Sequence, residues 1–454
     1  QGNDPRSLPP RVAFGSEAIV NRRLPLAVGF VIGAGALIAA GTGYQRPTRA
    51  TFSDLAAPGM PFAPTIGGIS TSWFCPGVAA TPGRGGEIVV TNPGPSPVRG
   101  HITVFSTSAA AVEIPISVDG RDSASFSLDK ASKGDYLSSL VEIEGGLGYA
   151  EQRARHPGGQ STIPCSNAPS SDWYLADGIT AGSGYDLVIT NPFPDYTNVN
   201  ITAITADGAR TPAKLQNQTI AGRSVMKVDV EQYGLQDEQL VAFEVHAMPE
   251  RVVVGRAQTY SGGLNRKGYS MTLAAPSSDT RWIFVDGEKG GGVGESITLL
   301  NPSSQPASVS VQIFTAQSGG PGFNNTQQYD VPEGAVLKID INGLDSIPTG
   351  RHSIIVDSGA VGIVAEQVIT RGGATTVTQG SRVTSRRWWV PTPLRTAANG
   401  ALVVSNQTGT DGTVSVKALG PGGLIPLAGL QNIALKASDN FVGGTIDLDL
   451  SQAD

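Results

Sequence analysis

The sequence predicts an all-β protein: tandem antiparallel β-sandwiches of immunoglobulin-like type after one N-terminal transmembrane helix. Three observations carry this. Gly 58 and Pro 31 make up nearly a fifth of the 454 residues, while charged residues are only 15%, a profile that suits turn-rich β structure. At 39% hydrophobic, the chain is too apolar to be disordered. A landmark pair, Trp and then Asn, recurs four times at near-constant spacing, and one long uncharged stretch stands near the start.

That stretch is the first element. "LPLAVGFVIGAGALIAAGTG", Leu24–Gly43, holds 20 residues without a charge, enough for a helix to cross the hydrocarbon core of a membrane. Arg22 and Arg23 abut its start, Arg6 and Arg11 lie further back, and Arg46 and Arg49 follow it. The excess of cations before the segment favours a cytoplasmic 1–23, with everything after a linker at 44–66 outside the cell. A cleaved signal peptide is the alternative, since "ALIAAGTG" has the small residues a signal peptidase accepts; its apolar run is longer than usual. Both readings export the rest of the chain. Gln1 in place of Met suggests that residues precede it.

The repeats come next. Trp73, Trp173, Trp282 and Trp388 precede Asn92, Asn191, Asn301 and Asn406 by 19, 18, 19 and 18 residues, and successive Trp lie 100, 109 and 106 apart. Gln152, Gln258 and Gln367 recur near the ends of the first three copies. The boundaries that follow are 67–166, 167–275 and 276–381, with a fourth copy at 382–454. Counting from Asn406, the fourth Gln would fall beyond Asp454, so this copy reads as truncated, or completed by a partner's strand.

Within a copy, the strands show a two-residue period. Val309, Val311 and Ile313 alternate with Ser308, Ser310 and Gln312, as in a half-buried strand. About seven such strands in 105 residues suit a two-sheet sandwich, which buries both apolar faces. In "YDLVITNPFPDYTNVNITAIT", Asn191 ends a strand in an Asx-turn and Pro192 stops the pairing. Each Trp supplies a large apolar body to the core between sheets. A residue type that recurs in every copy serves the fold of the unit; a catalytic residue is needed once.

Cys75 and Cys165 fall at the entry and exit of copy one. In an exported chain they read as a disulfide, the alternative being two free buried thiols. Two cysteines without a His cluster cannot complete a zinc site. His101, His156, His246 and His352 have no metal-ligand spacing. No nucleophile elbow or phosphate loop occurs; "VDGEKGGGVGES" lacks the Walker ending and reads as a flexible loop. Glu151 and Glu366 precede the repeated Gln, but copy two has Ala257 there, so no carboxylate pair is placed. Four Asn-x-Ser/Thr triplets, at Asn200, Asn217, Asn324 and Asn406, are what chance gives in such a composition. Net charge is −6 overall, and the basic N-terminal 50 residues leave the remainder more acidic still, which argues against nucleic acid as a partner.

"SWFCPG" at 72–77, "IPCSNAPSSDWY" at 163–174, the Asn-Pro pairs at Asn92, Asn191 and Asn301, and "AEQ" at 150–152 and 365–367 resemble a family of uncharacterised actinobacterial proteins. In that family an N-terminal membrane segment precedes tandem β-sandwich modules whose function is unknown. The resemblance implies an envelope location and a Cys75–Cys165 bridge. It supplies no activity.

The expectation is therefore a non-enzymatic structural or interaction protein. A rod of sandwiches, joined by short linkers such as "SNAPSSD" and "AAPSSDTR", would stand off the membrane and meet cell-wall glycan or an envelope protein, with no cofactor. The alternative is a carbohydrate-binding array assisting glycan processing, which needs exposed aromatics in line on one sheet. An envelope enzyme, the third reading, needs an acid pair or histidines gathered in one cleft.

Overall fold

Eight strands build copy one: β1 (Ser70–Ala79), β2 (Gly85–Asn92), β3 (Val98–Ser106), β4 (Val112–Val118), β5 (Asp122–Ser127), β6 (Tyr136–Glu144), β7 (Tyr149–His156) and β8 (Gly159–Pro164). This is a computed structural model, and it describes residues 70–145, 148–315, 323–390, 401–408, 410–420, 423–435 and 445–449. The predicted cytoplasmic segment, transmembrane helix and linker, 1–66, lie outside the described residues. Among the described residues no helix is long and apolar enough to cross a membrane.

The strands sort into two antiparallel sheets, ordered β1-β6-β3-β4 and β5-β2-β7-β8. Trp73, Ile88, Val90, Ile102, Val104, Val141 and Ile143 are buried in the core. Burial of each aliphatic side chain among them is worth about 1.5–3 kcal/mol.

Copy two repeats this with β9 (Asp172–Leu175), β10 (Ser183–Asn191), β11 (Thr197–Thr205), β12 (Gly208–Arg210), β13 (Gln218–Ile220), β14 (Ser224–Asp229), β15 (Val241–Met248), β16 (Val253–Ser261) and β17 (Lys267–Leu273). The short β12 and β13 share the place of β4, both pairing with β11. Copy three has β18 (Arg281–Lys289), β19 (Gly294–Asn301), β20 (Ala307–Thr315), β21 (Phe323–Val331), β22 (Ala335–Asp340), β23 (Gly350–Asp357), β24 (Val364–Arg371) and β25 (Ala374–Gln379). Its sheets, β18-β23-β20-β21 and β22-β19-β24-β25, match copy one strand for strand. The alternation read in β20 is borne out: Val309, Val311 and Ile313 are buried, while Ser308 is exposed and Ser310 and Gln312 are half-buried. The glycine-rich loop is a tight turn between β18 and β19; Gly290, Gly291 and Gly292 all take positive φ, which side chains with a Cβ rarely adopt.

An immunoglobulin constant domain sets strands A, B, E and D against C, F and G. Here the first strand pairs with the sixth and the seventh with the second, a different order on a two-sheet plan. In the fourth copy the described strands are β26 (Ala401–Ser405), β27 (Gly412–Val414), β28 (Lys417–Gly420), β29 (Gly423–Pro426), β30 (Ile433–Leu435) and β31 (Thr445–Asp449). They form three two-stranded sheets, β26-β31, β27-β30 and β28-β29.

The segments read as linkers are paired backbone. Ser166 exchanges both backbone hydrogen bonds with Phe74, Ala275 with Tyr174, and Ser381 with Ile283, at 2.7–2.8 Å. Ser170 and Asp279 then pair with Val252 and Ile363 of the following copy. Nor are the sandwiches separate. One apolar cluster runs from Trp73 to Ala274, and a second joins Ala176, Ile204, Ala242 and Ala275 of copy two to the core of copy three.

Candidate functional site: a repeated joint between sandwiches

The recurring Trp and Asn serve the fold of each unit. Trp73, Trp173 and Trp282 are essentially fully buried. Each indole donates to the carbonyl just before the seventh strand: Trp73 to Gly148 at 3.2 Å, Trp173 to Val252 at 2.9 Å and Trp282 to Ile363 at 2.9 Å. Trp388 corrects the expectation of a fourth core residue. It is 53% exposed and donates to its neighbour Ser385 at 3.1 Å. The cause is local. Among the described residues, β26 pairs with β31 alone, whereas β2, β10 and β19 each pair with two strands.

All four Asn side chains make the expected Asx-turn. The Oδ1 of Asn92, Asn191, Asn301 and Asn406 accepts from the backbone N–H two residues on, at 2.9–3.1 Å. Nδ2 does more than the sequence suggested. In Asn191 it donates to Asp195, Ile220 and Ala221 carbonyls at 2.7–3.3 Å, tying the turn after the second strand to the chain entering the fifth. Asn92 and Asn301 make the equivalent sets, and Asn406 makes two of the three.

Cys75 and Cys165 are disulfide-bonded, their Cα atoms 4.4 Å apart. The same places hold Leu175 and Ala274 in copy two, and Phe284 and Gly380 in copy three. A Cβ on Gly380 would meet the tip of Phe284 at 2.9 Å. Size complementarity there replaces the covalent link.

The repeated Gln secures an irregularity in the first strand. The register of β1 shifts between Cys75 and Val78. Gln152 accepts from Gly77 N at 2.9 Å and donates to Gly77 O at 3.0 Å. Gln258 donates to Ile179 O, in the segment after β9, and Gln367 donates to Asp286 O of the first strand at 3.5 Å and to Glu295 of β19 at 2.7 Å.

This irregular segment is where the next copy docks. At the first joint, Thr190 of β10 donates to Pro76 O at 3.1 Å and its hydroxyl is hydrogen-bonded to that of Ser138 at 2.8 Å, and Tyr136 Oη donates to Asp186 at 2.7 Å. At the second, the position of Gly77 is held by Asp177, and the joint becomes ionic. Arg266 binds the Asp177 carboxylate with two hydrogen bonds, at 2.5 and 2.9 Å, and Thr298 of copy three adds a third at 2.9 Å. Glu366 of copy three accepts the Asp177 N–H at 2.7 Å and lies 3.2 Å from Arg256, which also donates to Thr272 and to Asp177 O. Asp177, Arg256 and Glu366 are completely buried and Arg266 nearly so.

Burial pushes Asp177 up, but the two arginines and Thr298 outweigh it and hold the carboxyl below the usual range. For Glu366 burial wins, and its carboxyl lies above the usual range despite Arg256. Burial pulls Arg256 down, yet Glu366 and the surrounding acids hold it above its ordinary value. Such a network contributes geometric specificity more than stability: its Coulomb energy mainly offsets desolvation, and a mismatched neighbour would leave a buried charge unpaired.

The histidines do not converge. His101 pairs across strands with Glu142 at 2.8 Å and His246 with Asp172 at 2.7 Å, while His156 stacks on Tyr269. His352 Nε2 lies 3.0 Å from Glu295, close but not aligned for a hydrogen bond, and both are buried. Among the described residues no three or more His, Cys, Asp or Glu gather as metal ligands. Sequence reasoning missed the joint. Its signal was the Glu before Gln367 and the Asp four residues after Trp173, visible but unconnected.

The model of a family of unknown function, DUF5719, matches residues 68–239 and 236–452. No curated protein matches the chain. A crystal structure titled Thermotoga maritima 1070 aligns at 18% identity over 23% of this chain and 94% of its own, with a TM-score of 0.20.

Proposed function

The chain belongs to DUF5719, a family of unknown function, and from that premise we propose that it is a structural and interaction protein of the cell envelope. It would be anchored by Leu24–Gly43, present sandwich faces to an envelope protein or wall polymer, and carry out no catalysis. One observation carries this reading: four buried ionic groups, Asp177, Arg256, Arg266 and Glu366, fit copy two to copy three. A joint fixed by paired buried charges suits a scaffold. The disulfide in copy one supports an oxidising location.

The carbohydrate-binding reading loses its best candidates, because the Trp173 and Trp282 rings face cores rather than solvent. Fractionation of the native host tests the proposal, with protease shaving of intact cells followed by affinity capture on the tagged chain. The expected result is a membrane-associated chain, cleaved from outside, that retains an envelope component through a salt wash. Recovery in the cytosol would overturn the location, and turnover of wall glycan or peptide would overturn the non-catalytic role.

A further inference from the structure

The first three copies treat one corresponding sheet edge differently. In copy one the edge strand is β4, the outer strand of β1-β6-β3-β4. Pro115 stands at its centre, with no N–H to offer a neighbouring strand, and Glu113 is exposed on the same strand. In copy two the strand is broken into β12 and β13, three residues each, around a short 3-10 turn at Ala213–Leu215. Gln216 Nε2 bridges the break by donating to Ile201 O of β11 at 2.8 Å. A proline, a charge and a break are means by which folded proteins keep their sheet edges from pairing.

Copy three has neither the proline nor the break. Its β21 runs nine residues as the outer strand of β18-β23-β20-β21, and it pairs with β20 along that whole length without a register shift. It contains no proline, lysine or arginine, and its single charge, Asp330, stands near one end. Thr326, Gln328 and Asp330 are exposed, while Asn325, Gln327 and Tyr329 are half-buried. Among the described residues no strand pairs with its outer edge.

We propose that the outer edge of β21 is a self-pairing surface, and that its partner is β21 of a second copy of this chain, laid antiparallel across a two-fold axis. The residues select this occupant. A hydroxyl or a carboxamide both donates and accepts, so Thr326, Gln328, Asn325 and Gln327 are complemented by their own kind. A two-fold centred on Gln327 sets Thr326 opposite Gln328 and Asn325 opposite Tyr329. It also keeps the two copies of Asp330 at opposite ends of the pairing, so that no like charges face each other. Each edge then supplies the backbone donors and acceptors that the other needs, and two four-stranded sheets become one continuous sheet. The inference does not depend on where the protein resides.

Sedimentation equilibrium of the detergent-solubilised full chain tests this, and a reversible dimer is expected. Thr326→Lys combined with Gln328→Lys sets cation against cation twice across the two-fold. It should weaken the dimer by about tenfold or more at low salt. Thr326→Lys combined with Gln328→Glu sets cation against anion twice and should keep the dimer. Near-UV circular dichroism checks that each variant is folded, and Thr326→Glu combined with Gln328→Glu replaces the double lysine variant if that one unfolds. A wild-type chain that stays monomeric overturns the proposal. So does a dimer that the like-charged and the opposite-charged variants weaken equally, or that neither of them alters.

Discussion

Glu366 of the third sandwich accepts the backbone N–H of Asp177 in the second at 2.7 Å, from the same oxygen that lies 3.2 Å from Arg256. One carboxylate thus caps an irregular strand and neutralises a buried guanidinium, although 189 residues separate it from its backbone donor. Glu366→Ala leaves Arg256 buried without its counter-charge, and a loss of about 3–5 kcal/mol is expected in urea denaturation. Glu366→Leu combined with Arg256→Met should recover much of that loss, since an apolar pair of similar volume leaves no buried charge. If the two substitutions simply add, the side chains are not coupled as the geometry states.

Glu244 gives the pH prediction. Burial, and then the charge of Asp172, push its carboxyl up from 4.5 to about 6. A folded-state value above the unfolded one means the folded protein prefers the protonated acid. That contribution is fully present below about pH 4.5 and is lost as pH rises through about 6. Glu244→Gln should therefore stabilise the protein by about 1–2 kcal/mol at pH 8 and change little at pH 4. Urea midpoints at pH 4, 6 and 8 measure this, and a gain that is equal at all three would contradict the assignment.

The disulfide closes a span of 90 residues, for which chain entropy gives about 4 kcal/mol. Cys75→Ala should lower stability by about that amount under non-reducing conditions. The other copies suggest a repair. Leu175 and Ala274 fill the same two places in copy two, and both are buried. The pair Cys75→Leu with Cys165→Ala should lose less than Cys75→Ala and become insensitive to dithiothreitol in thermal denaturation.

Much of the unit was legible in the sequence. The Trp–Asn step and the Gln series locate corresponding strands because turn and core residues must recur wherever the same fold recurs. The Asx-turn at Asn191 was readable from Asn-Pro after an apolar strand. The joint was not, for a physical reason. Its residues sit on the outward faces of strands, where alternation reads as solvent, and each joint solves the fit differently: Gly77 against Val188 at the first, Asp177 against Thr298 at the second. Partners so far apart in the chain leave no local pattern. The strand order was equally hidden, since periodicity fixes which face is buried but not which strand lies beside it.

Trp282 and Trp388 separate the repeated residue from its repeated environment. Trp282 is sealed between sheets and donates to Ile363 at 2.9 Å, whereas Trp388 is 53% exposed and bonds its own neighbour. Trp282→Phe removes the donor from a buried carbonyl and some apolar contact, so a cost of about 1–3 kcal/mol is expected. Trp388→Phe should stay within about 0.5 kcal/mol of the parent, as surface changes do. Iodide quenching gives a second readout: Trp388→Phe should reduce the accessible fluorescence, leaving the share of half-buried Trp389, while Trp282→Phe should leave the accessible component intact. Equal destabilisation by the two variants would mean that Trp388 is enclosed in solution as its three counterparts are.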